Sequence, residues 1–241
     1  MRKELLIIIP VLNEKKNIKP LVKNINRFIK YKYKHLLFID DNSTDGTKEE
    51  INEIKSNKIF LIEREKKLGI GSAHKVGLNW GYKKKYKYII TMDSDGTHNP
   101  KYINSMIKNL EKKKCLIVST NRFLVQKSLK SWTPWRRFLT TVRHYLVQFL
   151  LGIEFDSSGA FRGYNVRNTK LSNILLAKSN SYSFFWESIF ILSLKYKIKE
   201  IPISLPARKA GVSKMRIKDI ISAILYLFYF SFIKRFFIKV K

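Results

Sequence analysis

Leu36-Leu37-Phe38-Ile39-Asp40-Asp41-Asn42-Ser43-Thr44-Asp45-Gly46-Thr47 runs from four apolar residues straight into acidic, amide and hydroxyl side chains. A short continuous apolar run suits a strand buried on both faces. The polar residues behind it favour turns and helix N-caps, because their short side chains bond nearby backbone amides. A helix over 47–56 is expected next. The same unit stands before it: Leu5-Leu6-Ile7-Ile8-Ile9 ends at Pro10, and a helix over 18–30 puts Ile18, Leu21, Val22, Ile25 and Ile29 on one face. It recurs behind it in Ile59-Phe60-Leu61-Ile62, a helix over 71–82, and Tyr88-Ile89-Ile90-Thr91-Met92. Strand and helix thus alternate through roughly the first 95 residues, the order of a doubly wound, mostly parallel α/β sheet with helices on both faces.

Further along, the pattern loosens into a helix over 102–112, a strand over 116–120 and a Trp- and Arg-bearing segment, 132–152, that reads as mostly helical. No repeat or low-complexity linker interrupts the chain. The expected organisation is a catalytic domain over 1–216 and an apolar, basic C-terminal helix over 217–241.

Of 241 residues, 45% are hydrophobic, enough for a real core, so a disordered chain is excluded. Lys and Arg number 48 against 18 Asp and Glu, a formal charge of +30, which calls for an anionic partner or a lysine-rich solvated surface. Cys115 is the one cysteine and excludes a disulfide framework; its apolar neighbours make it a buried, inert thiol. The apolar run near the N-terminus is too short for a secretory signal, so a cytoplasmic location is expected.

Ligands of such sheets sit at the carboxyl ends of the strands. Asn13-Glu14, Asp40-Asp41 and Asp93-Ser94-Asp95 all fall there. Two carboxylates one residue apart repel, and a Mg²⁺ or Mn²⁺ ion with oxygen ligands would compensate them and neutralise a diphosphate. By themselves Asp93 and Asp95 leave open an Asx-rich turn capping the helix after Pro100. Gly69-Ile70-Gly71-Ser72-Ala73 is similar to a dinucleotide fingerprint, but His74 stands at the third glycine and the motif follows the third strand. A tight helix-entry turn explains it as well. His74 and His98 lack partners at metal-ligand spacing.

Together, Ile9-Pro10-Val11-Leu12-Asn13-Glu14, Asp40 to Thr47 and Asp93-Ser94-Asp95-Gly96-Thr97-His98-Asn99-Pro100 resemble the signature blocks of family 2 glycosyltransferases. More narrowly they are similar to polyprenol (dolichol) phosphate mannosyltransferases. Later blocks follow in order: Asn121-Arg122, Asp156-Ser157-Ser158-Gly159-Ala160-Phe161-Arg162-Gly163-Tyr164, Phe185-Trp186-Glu187, Ile201-Pro202-Ile203, Arg208, and Gly211-Val212-Ser213-Lys214-Met215. The resemblance implies a GT-A fold. It places Pro10, Leu12, Glu14, Ile39 and Asp41 around the nucleoside, and Asp93, Ser94 and Asp95 at the metal and diphosphate. It also puts Arg122 and Arg143 at a lipid phosphate, Arg136 or Arg137 being able to stand in for Arg143, with Arg208 and Lys214 as further phosphate contacts.

The expected reaction is inverting transfer of mannose, glucose or another hexose from a GDP- or UDP-sugar to a polyprenyl or dolichyl monophosphate. A phosphate nucleophile needs no strong base, only alignment and a stabilised leaving group. Bidentate pairing with phosphate gives Arg122, Arg162 and Arg208 a reason to be arginine, although Arg162 reads equally as a structural ion pair. Glu187 reads as a sugar contact, an orienter of an arginine or a supporting residue. A hydroxyl acceptor is the alternative and would require a carboxylate base. A nucleic-acid binder is the remote one, disfavoured because the acidic clusters hold the ligand end of the sheet. Ile220 to Ile233 lacks formal charges and is shorter than the roughly 20 residues of a span. With Lys218, Lys234 and Arg235 beside it, an interfacial helix on the anionic cytoplasmic membrane face is expected, aided by Trp132, Trp135 and Phe138.

Overall fold

The computed structural model describes residues 3–112, 115–208 and 217–238. The five apolar runs become β1 (Leu5–Val11), β2 (Lys34–Asp40), β3 (Ile59–Glu63), β4 (Tyr88–Thr91) and β5 (Ile117–Asn121). Between the first four lie α1 (Lys15–Phe28), α2 (Thr47–Glu53) and α3 (Ile70–Lys83), and α4 (Lys101–Glu111) leads to β5. β1 pairs in parallel with β2 and with β4, and β2 with β3.

Side chains alternate across a strand, so β1 feeds two cores. Leu5, Ile7 and Ile9 join Leu36 and Phe38 under α1 and α4, while Leu6 and Ile8 join Leu37 and Ile39 on the opposite face. Each face is thus dry, which is why these strands read as unbroken apolar runs. The doubly wound, mostly parallel GT-A architecture expected from the sequence is the one observed.

Further elements complete the sheet. β6 (Arg162–Asn165) enters antiparallel between β4 and β5, and β7 (Ile198–Pro202) pairs in parallel with β5, giving the order β3-β2-β1-β4-β6-β5-β7. Gly163 permits the β6 insertion: a Cβ there would lie 2.9 Å from Ile90 Cδ1 and 3.2 Å from Leu110 Cδ1. Because β6 runs backwards, the segment preceding it, 156–161, arrives at the same edge as the carboxyl ends of β4 and β5.

α5 (Pro134–Leu151) starts at an N-cap, Thr133, whose hydroxyl accepts the Arg136 amide, with proline in the first turn. α6 (Leu171–Leu175) and α7 (Ser183–Ser193) follow, and α7 is buried from Ser183 to Leu192.

The C-terminal helix, α8 (Ile217–Ile238), begins where the tail was expected, but the membrane expectation is corrected. Among the described residues no helix is long and apolar enough to cross a membrane. An interfacial helix needs one apolar and one polar face; the apolar residues of α8 run around its circumference instead. Leu227 and Phe230 are buried, Phe230 meeting Trp186 and Phe190 of α7, while Ile221, Leu225, Tyr229 and Phe232 stay exposed. α8 therefore docks on the catalytic domain through α5 and α7.

Candidate active site at the strand ends

The loops after β1 and β2 are zipped together. Asn13, with φ at 53°, donates its amide to Ser43 Oγ at 2.9 Å and accepts the Thr44 amide on Oδ1 at 2.8 Å. The Glu14 amide donates to Thr47 Oγ1 at 2.8 Å, and the Lys15 amide to Asp45 at 3.1 Å. Asp40 accepts the amide and hydroxyl of Ser43. The acidic run after β2 is thus mainly scaffold: its carboxylates replace missing backbone partners at two helix entries.

Asp41 is likewise engaged. It accepts the Leu68 and Gly69 amides at 2.8 and 3.0 Å and pairs with buried Arg64 at 3.2 Å. Arg64 also reaches Ser72 Oγ, tying β3 to the first turn of α3. Nothing in the sequence around Arg64 signalled this role.

At the end of β4, Asp93 keeps about 34% of its side chain open, whereas Asp95 and Ser94 are buried. Asp95 Oδ1 accepts the amide and hydroxyl of Thr97 at 3.0 and 2.6 Å, leaving Oδ2 to Arg208 at 3.1 Å. The other guanidinium nitrogen of Arg208 binds Glu14 at 2.9 Å, so one arginine bridges the ends of β1 and β4. His98 stacks on Phe161 and accepts the Asp93 amide on Nδ1 at 2.9 Å. Desolvation pushes the Asp93 carboxyl above its ordinary range, His98 pulls the other way, and Asp95 adds to the rise.

Two hard carboxylates side by side suit a Mg²⁺ or Mn²⁺ ion that takes its remaining ligands from phosphate oxygens and water. No group of three or more His, Cys, Asp or Glu side chains that could hold a metal ion converges among the described residues.

A group of cations stands beside this edge. Arg122, 7% exposed, holds Asp156 through Nε at 2.7 Å and through its own amide at 3.1 Å. Burial alone would raise Asp156, but Arg122 and further hydrogen bonds keep it below the ordinary carboxylate range. Glu200 of β7 clamps the pair, accepting the Asp156 amide at 2.7 Å and Asn121 Nδ2 at 2.8 Å. From α5, Arg143 comes close to Arg122 and Asp156; burial, followed by repulsion from Arg122, lowers it to about 10. Arg136 lies over the Trp132 ring at 3.8 Å, and burial and Arg208 lower it while Asp95 opposes. Both Arg136 and Arg143 thus lie within electrostatic reach of this cluster.

Several expected contacts lie elsewhere. Ile39 is 0% exposed inside the core, while Pro10 and Leu12 are half-buried at the rim. Arg162 is 2% exposed and donates to Ser188 Oγ, Ser157 O and Phe185 O, which engages its guanidinium within the domain. Glu187 is 1% exposed and accepts the Lys178 and Ser179 amides at 2.7 and 2.9 Å, a supporting role. Lys214 lies outside the described residues. The partnership of Asp156 and Glu200 went unread: Asp156 stood in a recognised block, but Glu200 carried no signal.

Residues 6–170 match the profile of Glycosyl transferase family 2. The chain is 28% identical, over 87% of its length and 80% of the relative's, to polyprenol monophosphomannose synthase of Mycolicibacterium smegmatis. It is 25% identical, over 75% of each chain, to undecaprenyl-phosphate mannosyltransferase of Micrococcus luteus. Among solved structures, glucosyl-3-phosphoglycerate synthase of Mycobacterium tuberculosis, in complex with Mn²⁺, UDP and phosphoglyceric acid, superposes with a TM-score of 0.65. That match has 15% identity and covers 93% of this chain and 78% of that one. The metal in that structure agrees with the Mg²⁺ or Mn²⁺ expected here.

These neighbours correct the narrower reading of the motifs. The chain is similar in sequence to polyprenyl-phosphate enzymes and in fold to one crystallised with phosphoglyceric acid, so the signature blocks do not choose between these acceptors. They mark the family, not the acceptor. Mannose transfer to a polyprenyl or dolichyl phosphate, and an anionic membrane surface as partner, are therefore withdrawn.

Proposed function

We propose that this chain, which belongs to glycosyl transferase family 2, transfers a sugar from a UDP-sugar, with inversion, to a hydroxyl of a small acceptor that also bears a phosphate or carboxylate. The observation that carries the reading is the arginine cluster of Arg122, Arg136, Arg143 and Arg208 beside Asp95 and Asp156. Fixed guanidinium groups favour a planar or tetrahedral oxyanion. The small acid bound by the M. tuberculosis structure supports an acceptor of that class.

In this reading Asp93 and Asp95 would hold a divalent ion, whose charge would neutralise the departing diphosphate. Arg208, already between Glu14 and Asp95, lies where that charge develops and stabilises it. Arg122 is kept rigid by Asp156 and Glu200, and with Arg143 and Arg136 orients the acceptor anion so that its hydroxyl meets the anomeric carbon; the new bond forms as the bond to the diphosphate breaks, and the hydroxyl proton passes to the departing diphosphate in place of a carboxylate base. Glu187 is not the base that takes the hydroxyl proton, since both its oxygens are bound to backbone amides. Loss of activity on Glu187→Gln would therefore not discriminate between acceptor classes.

The test is incubation of the full chain with Mn²⁺, a panel of UDP-sugars and an acceptor panel of phosphoglycerate, other phosphorylated hydroxy acids, neutral sugars and polyprenyl phosphate, read by mass spectrometry. A glycosylated small anion is the expected product. Transfer to polyprenyl phosphate with no turnover of any small hydroxyl acceptor overturns the proposal.

A further inference from the structure

The C-terminal helix reaches the donor side of the cleft through one buried carboxylate. Glu187 of α7 accepts three hydrogen bonds: the Lys178 amide, the Ser179 amide, and the hydroxyl of Tyr226 from α8 at 3.0 Å. Such donors replace the water that a buried carboxylate has given up. Tyr226 is thus one of the donors that hold Glu187, while its ring packs near Trp186 and Phe230.

The two amides open the segment that seats α3. Asn180 O accepts the Ser72 amide at 3.1 Å, and Lys75 Nζ returns to Lys178 O and Asn180 Oδ1 at 3.0 and 3.2 Å. The approach is too close for side chains. A Cβ on Gly69, whose φ is +95°, would lie 2.4 Å from Asn180 O, and one on Gly71 would lie 2.7 Å from Ser181 O. The amides of Leu68 and Gly69, at that same turn, are the ones Asp41 holds at the end of β2. A continuous set of contacts therefore runs Tyr226, Glu187, 178–181, first turn of α3, Asp41.

We infer that Tyr226 and Glu187 are positioning residues for the nucleotide: α8, by docking, sets the seat of 178–181 against α3 and so the geometry of the donor side of the cleft. The inference rests on the donor reading above and on the family resemblance that sets Asp41 at the nucleoside. Neither side chain touches the nucleotide; both act through backbone.

The test compares full-length wild type, Tyr226→Phe, Glu187→Gln, the double variant and Tyr229→Phe, by calorimetric titration with UDP in Mn²⁺ and by thermal melting. Tyr226→Phe keeps the ring and removes one donor. It is expected to weaken UDP about three- to tenfold and to raise the donor KM more than it lowers kcat. The double variant should bind UDP no worse than Glu187→Gln alone, since Tyr226 acts through that carboxylate. Tyr229→Phe, exposed on the same helix, should bind as wild type. A Tyr226→Phe protein that melts lower but binds UDP like wild type overturns the inference, as does strict additivity in the double variant. Failure of wild type to bind any nucleoside diphosphate removes the donor reading itself, and the inference with it.

Discussion

Arg208 joins carboxylates 194 and 113 positions away in sequence, Glu14 and Asp95, and in the proposed mechanism is the resident counter-charge of the metal end of the cleft. An arginine on Asp95 Oδ2 competes with a cation for the same oxygen, until a diphosphate arrives to take the guanidinium. Arg208→Ala should therefore bind Mn²⁺ alone about several-fold more tightly than wild type, yet bind Mn²⁺ with UDP more weakly. Paramagnetic titration of Mn²⁺ with and without UDP checks both signs. Equal loss in both titrations would mean that Arg208 only supports the fold. At this scale the sequence was a partial guide. Asp93, Asp95, Arg122 and Arg208 were singled out and are brought to one edge, whereas Arg162 and Glu187 were singled out and are bound inside the domain. A buried arginine and a substrate-facing one have the same letter; only the carbonyls around Arg162 tell them apart.

Elements were legible where their pattern was local. The apolar runs of β1 to β5 announce strands because both faces are covered, and the α1 stripe of Ile18, Leu21, Val22 and Ile25 announces a helix on one core. β6 is Arg-Gly-Tyr-Asn, with no apolar run, and is a strand because β4 and β5 supply partners on both sides. β7 forms one end of the strand order, where a short segment closed by Pro202 is tolerated. The dependence of β6 on Gly163 is testable. Gly163→Val should push Ile90 and Leu110 apart and cost about 1–3 kcal/mol in denaturant-induced unfolding, with the 156–161 segment losing its place at the cleft. An unchanged midpoint would show that the sheet can open to admit a side chain.

Over the whole molecule, burial of histidine sets a pH dependence. His74 is enclosed by the Phe184 and Phe185 rings with its Nε2 unpartnered, and burial, with the Arg162 charge second, lowers it to about 3 from 6.5. The unfolded chain then binds a proton that the native chain refuses between those values. This contribution to stability is complete above about pH 6.5 and is lost as pH falls towards 3. His35 and His144 are lowered by burial as well and add the same sign. His74→Phe should flatten, without abolishing, the fall of the melting temperature between pH 6.5 and 4. An unaltered slope would place the acid sensitivity elsewhere.

What the amino-acid order determined by itself was the alternation of strands and helices, the polar clusters at the carboxyl ends of β1, β2 and β4, and the family. All three depend on residues near one another in the chain, through side-chain period and turn chemistry. Tertiary structure alone decided which of those polar groups face the cleft. Asp40 and Asp41 went to scaffold, Asp93 and Asp95 to the open edge, and Arg143 of α5 to Arg122 and Asp156. It also decided that α8 packs on α7 and reaches Glu187. The reason is that a buried charge takes whichever partner the packing of distant segments delivers, and no local pattern records that partner.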